Sequence, residues 1–296
     1  MSRVDAVPAP LLVLAGVVSV QFGGALAATL VPQIGAAGSV VLRLLLATAL
    51  LLVIARPRWR GHGRRDWVTV ICFGVALGLM NFAFYASLGH LPIGVAVTIE
   101  FIGPLALAAV LSRRPRDLLA VAAAAVGVLL ISQALSLPLD ELEGTGIVLA
   151  LAAGACWAGY IVFSGRTGAA FPQLEGLAMA MVVATVVVLP FGIWDVSVHG
   201  TGAWDGTVLL KGLGIAVLSS VLPYSLELVA LRRLAPAVFG ILLSLEPAVA
   251  ALAGLLVLGQ RLSPVQLGGM ALVVLASVLV LGLGARRTGP SPEIPV

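Results

Sequence analysis

From residue 10 to residue 284 the chain is a succession of apolar runs of membrane-crossing length, separated by short connections. A hydrocarbon layer about 30 Å thick takes a helix of about 20 apolar residues. Scanning for such runs gives ten, at 10–31, 39–55, 67–88, 93–111, 118–134, 146–164, 174–194, 208–228, 238–258 and 264–284. Charged residues are 10% of the chain and apolar ones 60%, with mean hydropathy +1.14. A soluble domain carries about 25% charged residues, so a chain this poor in charge has lipid as its main solvent. The expected fold is an all-α polytopic membrane protein with ten transmembrane helices. Arg3, the apolar stretch after it and Ala25-Leu26-Ala27 have the outline of a signal peptide. Apolarity continuing to Val31 favours a retained first helix.

The pI near 9.7 would point to nucleic acid in a soluble protein. Here the arginines fall in short loops, which is a topology signal. Alternating sides from the N-terminus, fourteen of the seventeen Lys and Arg residues fall on one side. They are Arg3, the Arg56–Arg65 group, Arg113, Arg114, Arg116, Arg166, Arg232, Arg233, Arg286 and Arg287. Lys211 and Arg261 fall on the other side, and Arg43 lies inside a span. The bias makes that side cytoplasmic, with both termini inside. Asp140, Glu141 and Glu143 fall on the outer side.

Shifting the chain by 143 residues lays Leu88, Leu91 and Pro104 over Leu231, Leu234 and Pro247. The identity is weak, but the layout repeats as five spans and five spans. An odd number per half makes the second half enter from the opposite face. That is the inverted repeat of secondary transporters, with the site near mid-membrane between the halves. The expected division is a cytoplasmic N-terminus at 1–9, a first five-helix repeat at 10–134, and an outer linker at 135–145. A second repeat at 146–284 and a cytoplasmic tail at 285–296 complete it.

Four charged residues lie well inside runs: Arg43, Glu100, Glu227 and Glu246. An intramembrane charge costs about 2.5–3.5 kcal/mol on insertion scales and marks a functional site by default. Each has a plainer reading. Arg43 is about a turn from the end of its run and could snorkel. Glu227 is near enough to Arg232 and Arg233 to be an interfacial ion-pair partner, and Glu246 could brace the bundle. The functional reading makes Glu100, Glu246 and Glu227 candidates to carry a proton or hold a substrate ammonium. Arg43 would hold a substrate carboxylate or pin a glutamate. One cation with one or two carboxylates suits a zwitterion.

Prolines accompany three of these charges. A helix-interior proline frees the carbonyl four residues earlier. Pro104 would free that of Glu100, Pro223 that of Ser219, and Pro247 that of Leu243. Asn81, Tyr85, Trp157, Tyr160 and Tyr224 lie at or near mid-span. Trp157 and Tyr160, three apart, share a helix face and could wall an ammonium by cation–π contact or pack against neighbours. Gly23-Gly24, Gly74-x-x-x-Gly78 and Gly154 read as close helix contacts. Cys72 and Cys156 read as small core residues. No Walker loop, catalytic triad, metal-ligand spacing or channel filter motif occurs in the sequence. No cofactor, no metal, no nucleic acid and no enzymatic activity are expected.

Four stretches carry a family likeness: GVAVTIEFIGPLALAAVLSRRP (94–115), GACWAGYIVFSG (154–165), LSSVLPYSLELVALRRL (218–234) and FGILLSLEPAVAALAGLLVLGQRLSPVQLG (239–268). The chain resembles the drug/metabolite transporter superfamily (EamA-type), and within it the threonine/homoserine exporter family, over nearly its whole length. The resemblance implies two inverted five-helix repeats. It also implies export of small amino acids such as threonine and homoserine across a bacterial inner membrane, driven by the proton gradient; alternating access is the expected mechanism. It carries over onto Arg43, Glu100, Pro104, Trp157, Tyr160, Pro223, Tyr224, Glu227, Glu246 and Pro247. One departure is Leu-Gly-Gln, with Gln260, where superfamily members have Leu-Gly-Glu. That puts an outer gate pair with Arg261 in doubt. The alternative cargo is a drug, an aromatic amino acid, a nucleobase or another hydrophobic metabolite.

Overall fold

The computed structural model describes residues 7–112, 115–133, 143–199, 205–258 and 262–284. Among these residues the regular structure is helical and no strand forms, as lipid requires of a backbone that must satisfy its own hydrogen bonds. Outside the described residues lie 1–6, Arg113 and Arg114, most of the expected linker, Gln260 with Arg261, and the tail.

In chain order the helices are α1 (Ala9–Ala28), the single turn α2 (Val31–Ile34), α3 (Ala36–Ala55), α4 (Arg64–Ser87), α5 (Ile93–Leu111) and α6 (Pro115–Ser132). The second half has α7 (Gly144–Ala170), α8 (Glu175–His199), α9 (Gly206–Ala216), a π-helical turn (Val217–Val221) and α10 (Leu222–Leu231). Then come α11 (Pro236–Leu243), α12 (Leu245–Leu258) and α13 (Pro264–Gly284). Seven helical segments among the described residues are long and apolar enough to cross a membrane. One of them, Gly206–Leu231, runs through α9, the π turn and α10. Three shorter apolar segments are Ala9–Gly24, Asp117–Ser132 and Pro236–Leu252.

The molecule is apolar on both its outside and its inside, as a lipid-solvated bundle is. Val53, Val110, Leu210 and Trp194 point outward and exposed, while Phe73, Leu44, Leu51, Tyr160, Leu177 and Met181 fill the core. Between the halves, α3 and α4 pack on α8, and α4 and α5 pack on α7. Likewise α3 packs on α9, and α1 packs on the π turn, on α10 and on α12. The two halves also meet through α5 with α11 and through α6 with α13.

Backbone proximity sets these contacts. Gly74 and Gly78 lie against Ala180 and Ala184 of α8. Gly103 and Gly154 bring α5 and α7 closer still: a Cβ on Gly103 would stand 1.8 Å from the Gly154 carbonyl oxygen. A Cβ on Gly154 would in turn stand 2.5 Å from the carbonyl oxygen of Glu100, the acceptor that Pro104 frees. That carbonyl therefore faces the backbone of a neighbouring helix rather than open space.

The three prolines act differently. Pro104 sits inside a continuous α5. Pro247 follows a one-residue interruption at Ser244: α11 ends at Leu243, and Pro247 falls in the first turn of α12, where a missing N–H is no loss. At Pro223 the expectation is corrected. The chain enters Pro223 through the π turn, in which Leu222 N–H donates to Val217 C=O. In that register the carbonyl left without its donor is that of Leu218, one residue earlier than the α-helical count gives.

Candidate functional site

The polar residues inside the runs converge. α3 contributes Arg43, only 6% exposed. α4 contributes Asn81 and Tyr85, four apart and so on one face. α7 contributes Trp157 and Tyr160, and α10 contributes Tyr224 and Glu227, each pair three apart. Glu100 comes from α5, and Glu246 stands in the first turn of α12, where a carboxylate complements the helix dipole.

A hydrogen-bonded chain runs through the first group. Arg43 Nη2 donates to Asn81 Oδ1. Asn81 Nδ2 donates to Tyr224 Oη at 3.1 Å and to the Leu77 carbonyl of its own helix at 2.8 Å. The rings of Tyr224 and Tyr160 are 5.7 Å apart. Tyr160 Oη donates to Glu227 Oε2 at 2.6 Å. The guanidinium of Arg43 also lies over the Tyr85 ring, 5.5 Å from its centroid.

Arg43 is buried yet incompletely matched. Among the described residues its Nε has no hydrogen-bond partner, and no carboxylate forms an ion pair with it. A buried guanidinium in that condition carries an unrecovered desolvation cost. The second group lies further along. Glu246 is within electrostatic reach of both Glu100 and Glu227, and neither Glu100 nor Glu246 has a hydrogen-bond partner among the described residues. Trp157 stands edge-on to Phe101, centroids 4.8 Å apart, beside Glu100 in sequence. The interior thus has a cationic end at Arg43 and an acidic end at Glu100 and Glu246, with the tyrosines and Glu227 between.

Two of the plainer readings do not hold. Arg43 does not snorkel; it is inside, bonded to Asn81. Glu227 is not an interfacial partner of the nearby arginines; it takes the Tyr160 hydroxyl. Arg232 instead closes the end of α7, donating to the carbonyls of Gly168, Phe171 and Gln173, and Arg233 donates to the Val7 carbonyl.

Three residues at the site were not singled out from the sequence. Phe101 packs on Trp157, Gly16 of α1 borders Glu227, and Ser19 of α1 donates to the Leu218 carbonyl at 2.6 Å. The spacing of Gly16, Ser19 and Gly23 was the available signal, since it puts small residues on one helix face. No group of possible metal ligands forms among the described residues, and Cys72 and Cys156 are free.

A polytopic helical bundle with a buried, two-ended polar interior is the build of a membrane transporter. The EamA-like transporter family matches residues 144–282. The threonine/homoserine exporter RhtA of Escherichia coli (strain K12) is 39% identical over 268 residues, 90% of this chain and 89% of that one. Its counterpart in Salmonella typhimurium (strain LT2) is 39% identical over 269 residues, with the same coverage. The uncharacterized transporter YwfM of Bacillus subtilis (strain 168) is 31% identical over 220 residues, 72% of this chain and 67% of that one. The chain belongs to the threonine/homoserine exporter family of the EamA-like transporters. A solved crystal structure superposes with a TM-score of 0.74 at 16% identity, covering 95% of this chain and 99% of its own, a likeness of fold alone.

Proposed function

We propose that this protein exports small zwitterionic amino acids of the threonine and homoserine type across the bacterial inner membrane, by proton-coupled alternating access. The observation that carries this reading is the buried Arg43, with an unpartnered Nε and no ion-paired carboxylate among the described residues, in the same interior as Glu100 and Glu246. A zwitterion satisfies both ends at once: its carboxylate takes Arg43, and its ammonium takes the glutamates. The names of the relatives at 39% identity support the cargo. In this reading Tyr85, Trp157 and Tyr224 contact the cargo between the two ends. Proton coupling is assigned to Glu100 and Glu246, with Glu227 held by Tyr160.

The scaffold is read as ten spans in two inverted halves with both termini cytoplasmic. Three short apolar segments join the seven long ones to make ten. The packing supports the repeat: exchanging the halves turns the pairing of α4 with α7 into that of α10 with α1, and that of α5 with α7 into that of α12 with α1. Asn81 and Tyr224, which touch, are 143 residues apart, the shift that overlays the halves.

Counterflow of labelled homoserine and threonine into liposomes holding the purified protein tests the cargo. Saturable exchange of either is expected; flux that neither saturates nor follows the proton gradient would mean a passive pore. Glu100→Gln and Glu246→Gln are expected to lose gradient-driven transport. Parental proton-driven flux in both would remove coupling from these residues.

A further inference from the structure

Proline 223 has no N–H, and the π turn before it shifts the orphaned acceptor to the Leu218 carbonyl. That carbonyl accepts a hydrogen bond from the hydroxyl of Ser19, on a different helix and 199 residues away in sequence, at 2.6 Å. A serine inside an apolar helix commonly bonds back to its own helix; Ser19 reaches across instead. It is itself only 6% exposed. The approach that allows this is close: a Cβ on Gly23, four residues on, would stand 2.0 Å from Ser219 Oγ and 2.9 Å from the Ser219 amide nitrogen.

The π turn has a consequence downstream. It inserts one extra residue into the helix without an extra turn, so everything after it is rotated by about 100° relative to an unbroken α-helix of 3.6 residues per turn. The residues after it are Tyr224 and Glu227. In the rotated position Tyr224 meets Asn81 and Glu227 meets Tyr160. In an α-helical register both would be turned off their partners.

We infer that Ser19 is a positioning residue for transport: its hydroxyl holds the π register of 217–221 and so aims Tyr224 and Glu227 at the site. The role of Tyr224 and Glu227 in carrying cargo rests on the function proposed above; the hold of Ser19 on the π turn does not. Ser19 itself touches no cargo.

Ser19→Ala removes the donor. Pro223→Ala supplies Leu218 with a backbone N–H and makes the donor unnecessary. Amide hydrogen exchange across 217–226 in the detergent-purified protein reads the register directly and needs no cargo. Ser19→Ala is expected to speed exchange there by roughly tenfold, the scale of one lost hydrogen bond to a buried acceptor. In the Pro223→Ala background the same change is expected to do nothing. In liposomes Ser19→Ala is expected to raise the KM for homoserine several-fold more than it lowers the maximal rate, again only when Pro223 is present. Equal effects of Ser19→Ala in both backgrounds, or exchange unchanged from the parent, would overturn the inference. Parental protein that exchanges no amino acid, with the exchange pattern as expected, would overturn the cargo and leave the hold of Ser19 standing.

Discussion

At the scale of single residues, what decides the site is which polar groups are matched and which are left over. Glu227 has a donor in Tyr160 at 2.6 Å, and Asn81 has two acceptors for its amide. With Glu227 ionised, removing its donor costs more than removing one partner from a neutral amide, about 1.5–3 against 0.5–1.5 kcal/mol. Tyr160→Phe should therefore lower the thermal midpoint in detergent more than Tyr224→Phe does. An equal loss would mean that the Tyr160–Glu227 bond is no stronger than a neutral one. Arg43 is the leftover cation, so Arg43→Gln should raise the KM for a zwitterion about ten- to hundredfold, the worth of a charged hydrogen bond, while sparing any apolar cargo. Unchanged affinity would favour the efflux of drugs or hydrophobic metabolites. These residues were legible in the sequence because a charge or amide is conspicuous in an apolar run. Their partners were not: Tyr160 and Glu227 are 67 positions apart, and nothing local pairs them. Ser19 was overlooked because one serine in an apolar helix ordinarily bonds to its own backbone.

At the scale of elements, three prolines read alike in the sequence give three outcomes. α5 carries Pro104 without a break, the helix before Pro223 widens into a π turn, and the run around Glu246 splits into α11 and α12. The difference lies in what faces the freed carbonyl: the backbone at Gly154 for Glu100, and the Ser19 hydroxyl for Leu218. Sequence periodicity cannot supply that, because the neighbour comes from another helix. The contact of α5 with α7 is backbone on backbone, so it leaves no flexible side chain to yield. Gly103→Ala, whose Cβ would stand 1.8 Å from the Gly154 carbonyl oxygen, should destabilise by at least the 1–3 kcal/mol or so of an overpacked core. Gly24→Ala, with nothing within 4 Å of the added carbon, should leave the midpoint where it was. Thermal denaturation of both variants in one detergent compares them. If Gly103→Ala is as stable as Gly24→Ala, the two helices are not in that close a contact.

At the scale of the whole molecule, the order of spans follows from apolar run length, and the pairing of helices does not. The weak overlay at a shift of 143 residues is the sequence's sign of two halves, and one contact bears on that reading. Asn81 and Tyr224, 143 positions apart, touch; if the halves are an inverted repeat, the axis relating them passes close to that contact. The same shift carries His90, between α4 and α5, onto Arg233, between α10 and α11. If five spans separate them, the two positions lie on opposite sides of the membrane, His90 outside and Arg233 in the cytoplasm. The link from His90 Nδ1 to Glu143 at 2.7 Å is a surface pair, worth little to the fold, so His90 can be replaced. In a protein whose Cys72 and Cys156 have been changed to alanine, His90→Cys should react with a membrane-impermeant maleimide in intact cells. Arg233→Cys should react only after the inner membrane is opened. Labelling of both from the same side would leave an even number of crossings between them, and an inverted repeat cannot be built that way.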